Sequence, residues 1–288
     1  MGNAVENGSV IDLAQLTEQA EQLKPISSDL AGLLALLEQD TGELSDLARL
    51  LVQDPVLVMW VLRLANSPFY GRAGKVSDLT AACGLLGRNT LRNLVQAVIA
   101  RSMMTKLQPA SFDSCLFWRH CLYAASVGSH CATSCGFPSG SVFTVGLFHD
   151  FGLLVLDCLY PEAIQQALAS VATGHGGRLS TVIKQQSGID HRTLMVQLFN
   201  HWGFPACVCD ALAMQGEHGE RVATLMHFAC DTACSLGHGI TQDNQLLDYE
   251  LLGDGGVQLP VEQIPAILRN ADRLFHELIA QSPSSGNA

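Results

Sequence analysis

Charge is scarce in this chain. Of its 288 residues only 15% are charged, and 27 acidic residues outnumber 16 basic ones, for a net charge of −11. Phosphate backbones and anionic lipids are held by clustered Lys and Arg. Broad, non-specific binding to DNA, RNA or an anionic membrane is therefore not expected, although a small basic patch could still exist locally. A sparsely charged surface suits contact with partners. The first residues, MGNAVENGSV, lack the basic start and apolar stretch of a secretory signal. None of the ten cysteines stands in a CxxC pair. Zinc-ribbon spacing is absent, and nothing points to a secreted disulfide framework. The thiols read as reduced and buried. Cys131 with Cys135, and Cys230 with Cys234, could each share a helix face, which leaves a zinc or redox site as the lesser reading. There is no GxSxG nucleophile motif. GHGGR (residues 174–178) has neither a strand before it nor the Lys-Ser/Thr of a phosphate loop, and reads as a turn.

Alternating strand patterns are also missing, as are repeats of fixed period. Apolar residues make up 48% of the chain, and they recur at helical spacing nearly throughout. Leu13, Leu16, Ala20 and Leu23 mark a first helix, and Ser28 and Asp29 can cap a second. Asp54 can cap the helix PVLVMWVLRLANS, with Pro55 at its first position, where a missing N–H costs little. That helix is apolar on nearly every side and should be central. Asp78 starts a short helix ending near Gly87, and TLRNLVQAVIARSMM forms the next. SFDSCLFWRHCLYAASVGSHCATSCG is a long helix whose small residues permit close packing. Further helices are expected at about 179–187, 190–202, 205–215, 225–236 and 261–280. The most apolar window, Ser141–Tyr160, is long enough to span a membrane, but His149, Asp150 and Asp157 argue against a lipid-exposed span. The chain is expected to be soluble and cytoplasmic, with a disordered tail. A division falls near residue 110.

GLFHDFGLL (residues 146–154) sets His149 and Asp150 side by side in an apolar run, where neither group is buried without a reason. The order of stretches around them carries a resemblance. LARLLVQDPVLVMWVLRLANSPFYG (47–71), VSDLTAACGLLGRNTLRNLV (76–95), FWRHCL (117–122), GLFHDFGLLVL (146–156) and GIDHRTLMVQLFNHWGFP (188–205) resemble, in this order, the HDOD family of bacterial signalling domains, relatives of the HD phosphohydrolases. The resemblance spans roughly residues 20–236. It implies an all-α fold of two packed helical subdomains, 20–110 and a second, HD-like one at 111–236. Extensions at 1–19 and 237–288 flank them. It also implies a regulatory role beside receiver, cyclase or kinase domains, none of which is found in this chain.

HD enzymes gather histidines and aspartates from separate helices around one or two divalent metals, which activate water against a phosphate ester. Imidazole and carboxylate ligands suit Mn, Fe, Zn or Ni. By resemblance, His120 matches the first histidine of that set, His149 and Asp150 the HD pair, and His191 a further histidine common in the family. Other positions depart from it. Gln215 and Gly216 stand where a His-His pair is often found, with His218 displaced nearby. Leu153 replaces a lysine common in active enzymes. Asp231 falls four residues after His227 instead of three, a turn of about 100° around a helix, so it would need a local rearrangement to serve. Cys230 is itself a candidate ligand. His120, His149 and Asp150 are thus the metal-site candidates, and the competing reading makes them a vestigial site. In that reading Asp150 accepts hydrogen bonds from a histidine, Arg119 or a backbone N–H and fixes helix packing. No catalytic residue is assigned and no cofactor is expected beyond a divalent metal. Trp118 and Trp202 read as core anchors, and Arg88, Arg92 and Arg101 as a solvated face.

The function expected is non-enzymatic signal transduction, through signalling partners such as kinases, response regulators or cyclases, or through a small ligand in the cleft between subdomains. The alternative is a metal-dependent phosphohydrolase acting on a nucleotide or cyclic dinucleotide.

Overall fold

Helix caps and apolar spacing set the order of elements. The computed structural model of the chain describes residues 18–19, 28–38, 44–52, 54–67, 70, 76–137, 139–173, 178–204, 206–214, 217–240, 257 and 259–281. Among these residues the regular structure is helical, with no strand. Most of the helix expected at Leu13–Leu23, Gly174–Gly177, Gln215–Gly216 and the tail lie outside the described residues.

The first layer comprises α1 (Ser28–Glu38), α2 (Leu44–Leu51), α3 (Pro55–Ala65) and the long α4 (Leu79–Lys106). Asp54 caps α3 by accepting from the N–H groups of Val56 and Leu57, with Pro55 at the first position, as expected. Asp78 caps α4. At Gly87 the backbone of α4 turns to φ 75°, a conformation glycine adopts without the Cβ penalty. α4 is thus two helices meeting at a kink, the short one ending near Gly87 and the longer one following it, as read from the sequence. Arg88 and Arg92 do not form a solvated face. Arg92 donates to the Leu37 carbonyl at 2.8 and 3.3 Å, and Arg88 donates to that of Leu36 at 3.4 Å. They satisfy carbonyls that the end of α1 leaves open. Arg101 lies over the Trp118 ring instead.

The second layer is built around α5 (Ser114–Ser134), which packs against α6 (Ser139–Phe148), α12 (Glu217–Ser235) and α13 (Ile264–Gln281). Its small residues allow this. A Cβ added at Gly128 would lie 3.1 Å from Val142 of α6 and 3.3 Å from the Met226 sulfur of α12. The remaining helices are α7 (Phe151–Leu159), α8 (Pro161–Ala172), α9 (Leu179–Ser187), α10 (His191–His201) and α11 (Ala206–Ala213). Asp157 of α7 is fully buried and accepts from the N–H groups of Ser111 and Phe112 at 2.7 and 3.1 Å. It thereby pins the connection from α4 to α5. Trp118 is a buried anchor, whereas Trp202 is only partly covered.

The apolar window is not one continuous helix. α6 ends at Phe148, and α7 begins at Phe151 with Asp150 as its N-terminal cap residue. Of the most apolar window in Ser139–Leu159, 83% is buried against the rest of the chain. The hydrophobicity is that of a core element, interrupted where the two polar side chains stand.

Candidate functional site

Two glycines place the His-Asp pair. A Cβ at Gly146 would stand 2.4 Å from the Ala125 Cα, so α6 crosses α5 in near contact. That crossing sets His149 beside His120 of α5, with ring centroids 5.4 Å apart. A Cβ at Gly152 would stand 2.2 Å from the His191 carbonyl oxygen. The start of α7 therefore rests on the start of α10, which brings His191 to Asp150. The break between α6 and α7 turns Asp150 toward all three histidines.

His149 Nε2 lies 3.2 Å from Asp150 Oδ2, His120 Nε2 lies 3.7 Å from the same oxygen, and His191 Nε2 lies 3.4 Å from Oδ1. All three imidazoles are buried. The outer nitrogens of two of them are already committed. His120 Nδ1 donates to the His238 carbonyl at 2.9 Å, and His149 Nδ1 to that of Gly146 at 2.8 Å. Such bonds fix ring orientation and direct Nε2 inward. His238 follows α12 directly, and its ring stacks on Tyr123 and meets Phe275 of α13. The C-terminal helix thus supports the back of the site.

Cys230, on α12, completes the cluster. Its Sγ lies 3.2 Å from His149 Nε2, and the ligand atoms of His120, His149 and Cys230 all fall within 4.8 Å of one another. Asp231 lines the same cavity but is paired with an arginine. Arg178 donates to both of its carboxylate oxygens, at 2.9 and 3.0 Å. Arg119, weighed above as a partner of Asp150, lies over the Phe275 ring. The partners of Asp150 are the histidines. Leu153 lines the same cavity, of about 320 Å³, and Arg178, Arg192 and His227 border it.

The electrostatics follow from this packing. Burial alone would lower the His149 imidazole, but Asp150 and Cys230 offset it and hold the ring well above its ordinary value. Burial alone would raise the Asp150 carboxyl, yet His149 and His191 hold it well below the usual carboxylate range. The Cys230 thiol is also pushed up by burial, but His149 and His120 outweigh this and bring it down to about 7. The other described cysteines are free thiols. A divalent cation fits the inward-facing atoms: two imidazole nitrogens, a carboxylate oxygen and a sulfur suit zinc or iron better than magnesium.

His120, His149 and Asp150, the three candidate metal residues, are thus brought together with His191. Arg178 was missed as part of the site. Its only sequence signal is indirect: Asp231 stands in the apolar-rich run LMHFACDTAC, and a buried acid requires a partner.

The kinked first layer and the HD-like second layer, with a His-Asp pair at a helix junction, define a class. The chain belongs to the HDOD domain family, whose sequence profile matches residues 23–218. The fold is shared with an HDOD domain protein of unknown function from Geobacter sulfurreducens. The identity is 19%, with 94% of this chain and 100% of that one covered and a TM-score of 0.73. It is also shared with a protein from Shewanella amazonensis SB2B assigned as a phosphohydrolase, at 23% identity, 96% and 99% coverage and a TM-score of 0.71. A protein from Marinobacter aquaeolei VT8 assigned to signal transduction matches at 19% identity, 96% and 68% coverage and a TM-score of 0.70. An uncharacterised protein of Treponema pallidum is 22% identical over 201 residues, and the chain spans 38% of the length of that relative.

Proposed function

We propose that this chain is a non-enzymatic signal-transduction protein of the bacterial cytoplasm. It acts by binding: a small anionic ligand at the HD pocket, and a signalling protein such as a kinase, response regulator or cyclase on its helical surface. The observation that carries this is the pairing of Asp231 with Arg178. Hydrolysis across two divalent ions needs several carboxylates to hold and neutralise both. Among the described residues, Asp150 is the carboxylate within 4 Å of these three histidines, and Asp231, which lines the same cavity, is paired with an arginine. The cluster lines the cavity and joins α5, α6, α7, α10 and α12. A ligand reaching Arg178 or Asp150 would therefore shift helix packing directly. Arg178, Arg192 and His227 at the cavity border supply donors for an anionic group.

The second reading, a metal-dependent phosphohydrolase acting on a nucleotide or cyclic dinucleotide, draws on the convergence of three imidazoles on one carboxylate. A bound metal would supply an activated water and charge neutralisation there. Hydrolysis of a generic phosphodiester with added Mn, Fe or Zn separates the two. The expected result is no rate above that of His149→Ala and Asp150→Ala. A rate that both substitutions abolish would establish the second reading. Purification of the tagged chain from its native cell should recover a protein carrying a receiver, kinase or cyclase domain, and recovery of none would count against the partner assignment.

A further inference from the structure

We infer that a second cavity, where α4, α5 and α13 meet, binds a small zwitterionic amino acid, with Glu277, Asn93 and His130 taking its ammonium and Arg273 its carboxylate. The inference goes beyond the regulatory reading and does not depend on what the HD pocket binds.

The cavity has a volume of about 310 Å³, at the small end of the range for ligand sites. Three helices each give it one face. Asn89 and Asn93 stand a turn apart on α4, Ser129 and Thr133 on α5, and Arg273 and Glu277 on α13. Pockets for apolar molecules are lined mainly by apolar and aromatic side chains. Here one aliphatic side chain, Leu274, and the Tyr70 ring stand among polar ones. The occupant that suits such a lining is small and dense in hydrogen-bonding groups.

Much of that lining can only accept. On α5 the side chains have given their protons to their own helix. Ser129 Oγ donates to the Ser126 carbonyl at 3.0 Å, Thr133 Oγ1 to that of Ser129 at 3.0 Å, and His130 Nδ1 to that of Ser126 at 2.8 Å. Each keeps lone pairs, on the hydroxyl oxygens and on His130 Nε2, whose ring burial and Arg273 hold in its neutral form. On α4 the Asn93 side-chain oxygen is buried with no hydrogen-bond partner. Burying an acceptor in this way is costly, and a donor in the cavity would remove the cost.

Charge narrows the class further. The lining carries one guanidinium and one carboxylate, Arg273 and Glu277. Arg273 donates to Asn270 Oδ1. Burial pushes the Glu277 carboxyl up, and Arg273 offsets this only in part. A cation beside Glu277 relieves the remaining cost, whereas a phosphate would add to it. An ammonium supplies donors alone, which matches the acceptors of α4 and α5. Its carboxylate then meets Arg273, which is exposed at the mouth. A neutral polyol would meet the acceptors but leave Glu277 as it is.

α13 also backs the His-Asp cluster. Phe275 meets the His238 ring, and the His238 carbonyl accepts from His120. A molecule held between α4 and α13 thus fastens the first layer to the helix behind the HD pocket.

Isothermal titration of the full chain with the twenty standard amino acids tests this, alongside glucose, inositol and inorganic phosphate. At least one amino acid should saturate at one equivalent and raise the melting temperature. Its decarboxylated amine and its amine-free acid should each bind about tenfold more weakly or worse, since each lacks one charged contact. Arg273→Ala and Glu277→Gln should each weaken binding about tenfold or more for the same reason. Both side chains reach solvent, so the variants should fold, which their circular dichroism checks. Arg178→Gln, in the HD pocket, should leave the affinity unchanged. The inference is overturned if no amino acid binds, or if the amine alone binds as well. It is also overturned by a preference for glucose, inositol or phosphate that Arg273→Ala abolishes, or by amino-acid binding that survives both α13 substitutions. None of these readings measures hydrolysis or partner recovery, so the inference and the regulatory reading can fail separately.

Discussion

Arg178 donates to both oxygens of Asp231 across 53 residues of sequence, at 2.9 and 3.0 Å. This contact links the start of α9 to α12. It also neutralises an acid that lines the same cavity as the histidines.

The Asp231 side chain is 7% exposed and that of Arg178 is 37% exposed. Arg178→Ala leaves a nearly buried carboxylate without its cation. A fully buried pair would cost more, but solvent reaches the arginine. The loss should therefore be about 1–3 kcal/mol in chemical denaturation. Adding Asp231→Ala should recover part of it. A double variant whose losses simply add would show that the two groups are not coupled.

Gly152→Ala and Gly146→Ala test the packing that aims the site. Each added methyl meets backbone, at 2.2 Å from the His191 oxygen and 2.4 Å from the Ala125 Cα. Backbone cannot swing aside like a flexible side chain. Each substitution should cost about 1–3 kcal/mol or more. Denaturation midpoints equal to wild type would show that the helices are not in near contact.

Cys230 should be the fastest of the described thiols to react in metal-free protein. Its pKa is drawn down to about 7, whereas burial pushes Cys131 and Cys234 up to about 12 and Cys83 to about 11. The thiolate is the nucleophile. Alkylation followed by peptide mapping should show Cys230 labelled first, with a rate rising through about pH 7. Uniform labelling would contradict the assigned surroundings.

The order of helices was legible because it rests on local signals. Asp54 with Pro55, and Asp78, act within one turn of where they stand. His149 and Asp150 were legible because polar residues in an apolar run are costly, whereas His120 joined them only through the resemblance to the HD pattern. The break between Phe148 and Phe151 was not, because apolar residues continue through it on both sides. Its cause is the close approach of Gly146 and Gly152 to helices distant in sequence. The roles of Arg88 and Arg92 were misread for a similar reason: their partners are carbonyls of α1, 52 and 55 residues away. Cys230 was visible as a candidate ligand, but the Arg178–Asp231 pairing across 53 residues was not.

His130 lines a second cavity, of about 310 Å³, with Arg273 and Glu277 of α13. Burial lowers its pKa, and Arg273 adds to this, against the Ser126 carbonyl that it bonds. Below its ordinary value of about 6.5 the unfolded chain therefore binds more protons than the folded one, and folding stability falls as pH drops. His227 and His238 act in the same direction. His149 acts oppositely, since its raised pKa gives stability that is present at low pH and lost as pH rises. His130→Gln should flatten the acid-side slope of stability below about pH 6.5. An unchanged slope would show that His130 is protonated freely in the folded chain.

The central claim is that the His-Asp cluster holds helices and binds, without turning over a phosphate ester. It is tested most directly by Asp150→Asn. Melting temperature and phosphodiester hydrolysis, with Mn, Fe or Zn added, should be measured on the same preparations as wild type. The account predicts a melting temperature several degrees lower, since three imidazoles lose their shared anion, and no hydrolysis in either protein. Hydrolysis in the wild type that vanishes in Asp150→Asn, with the melting temperature unchanged, would contradict it.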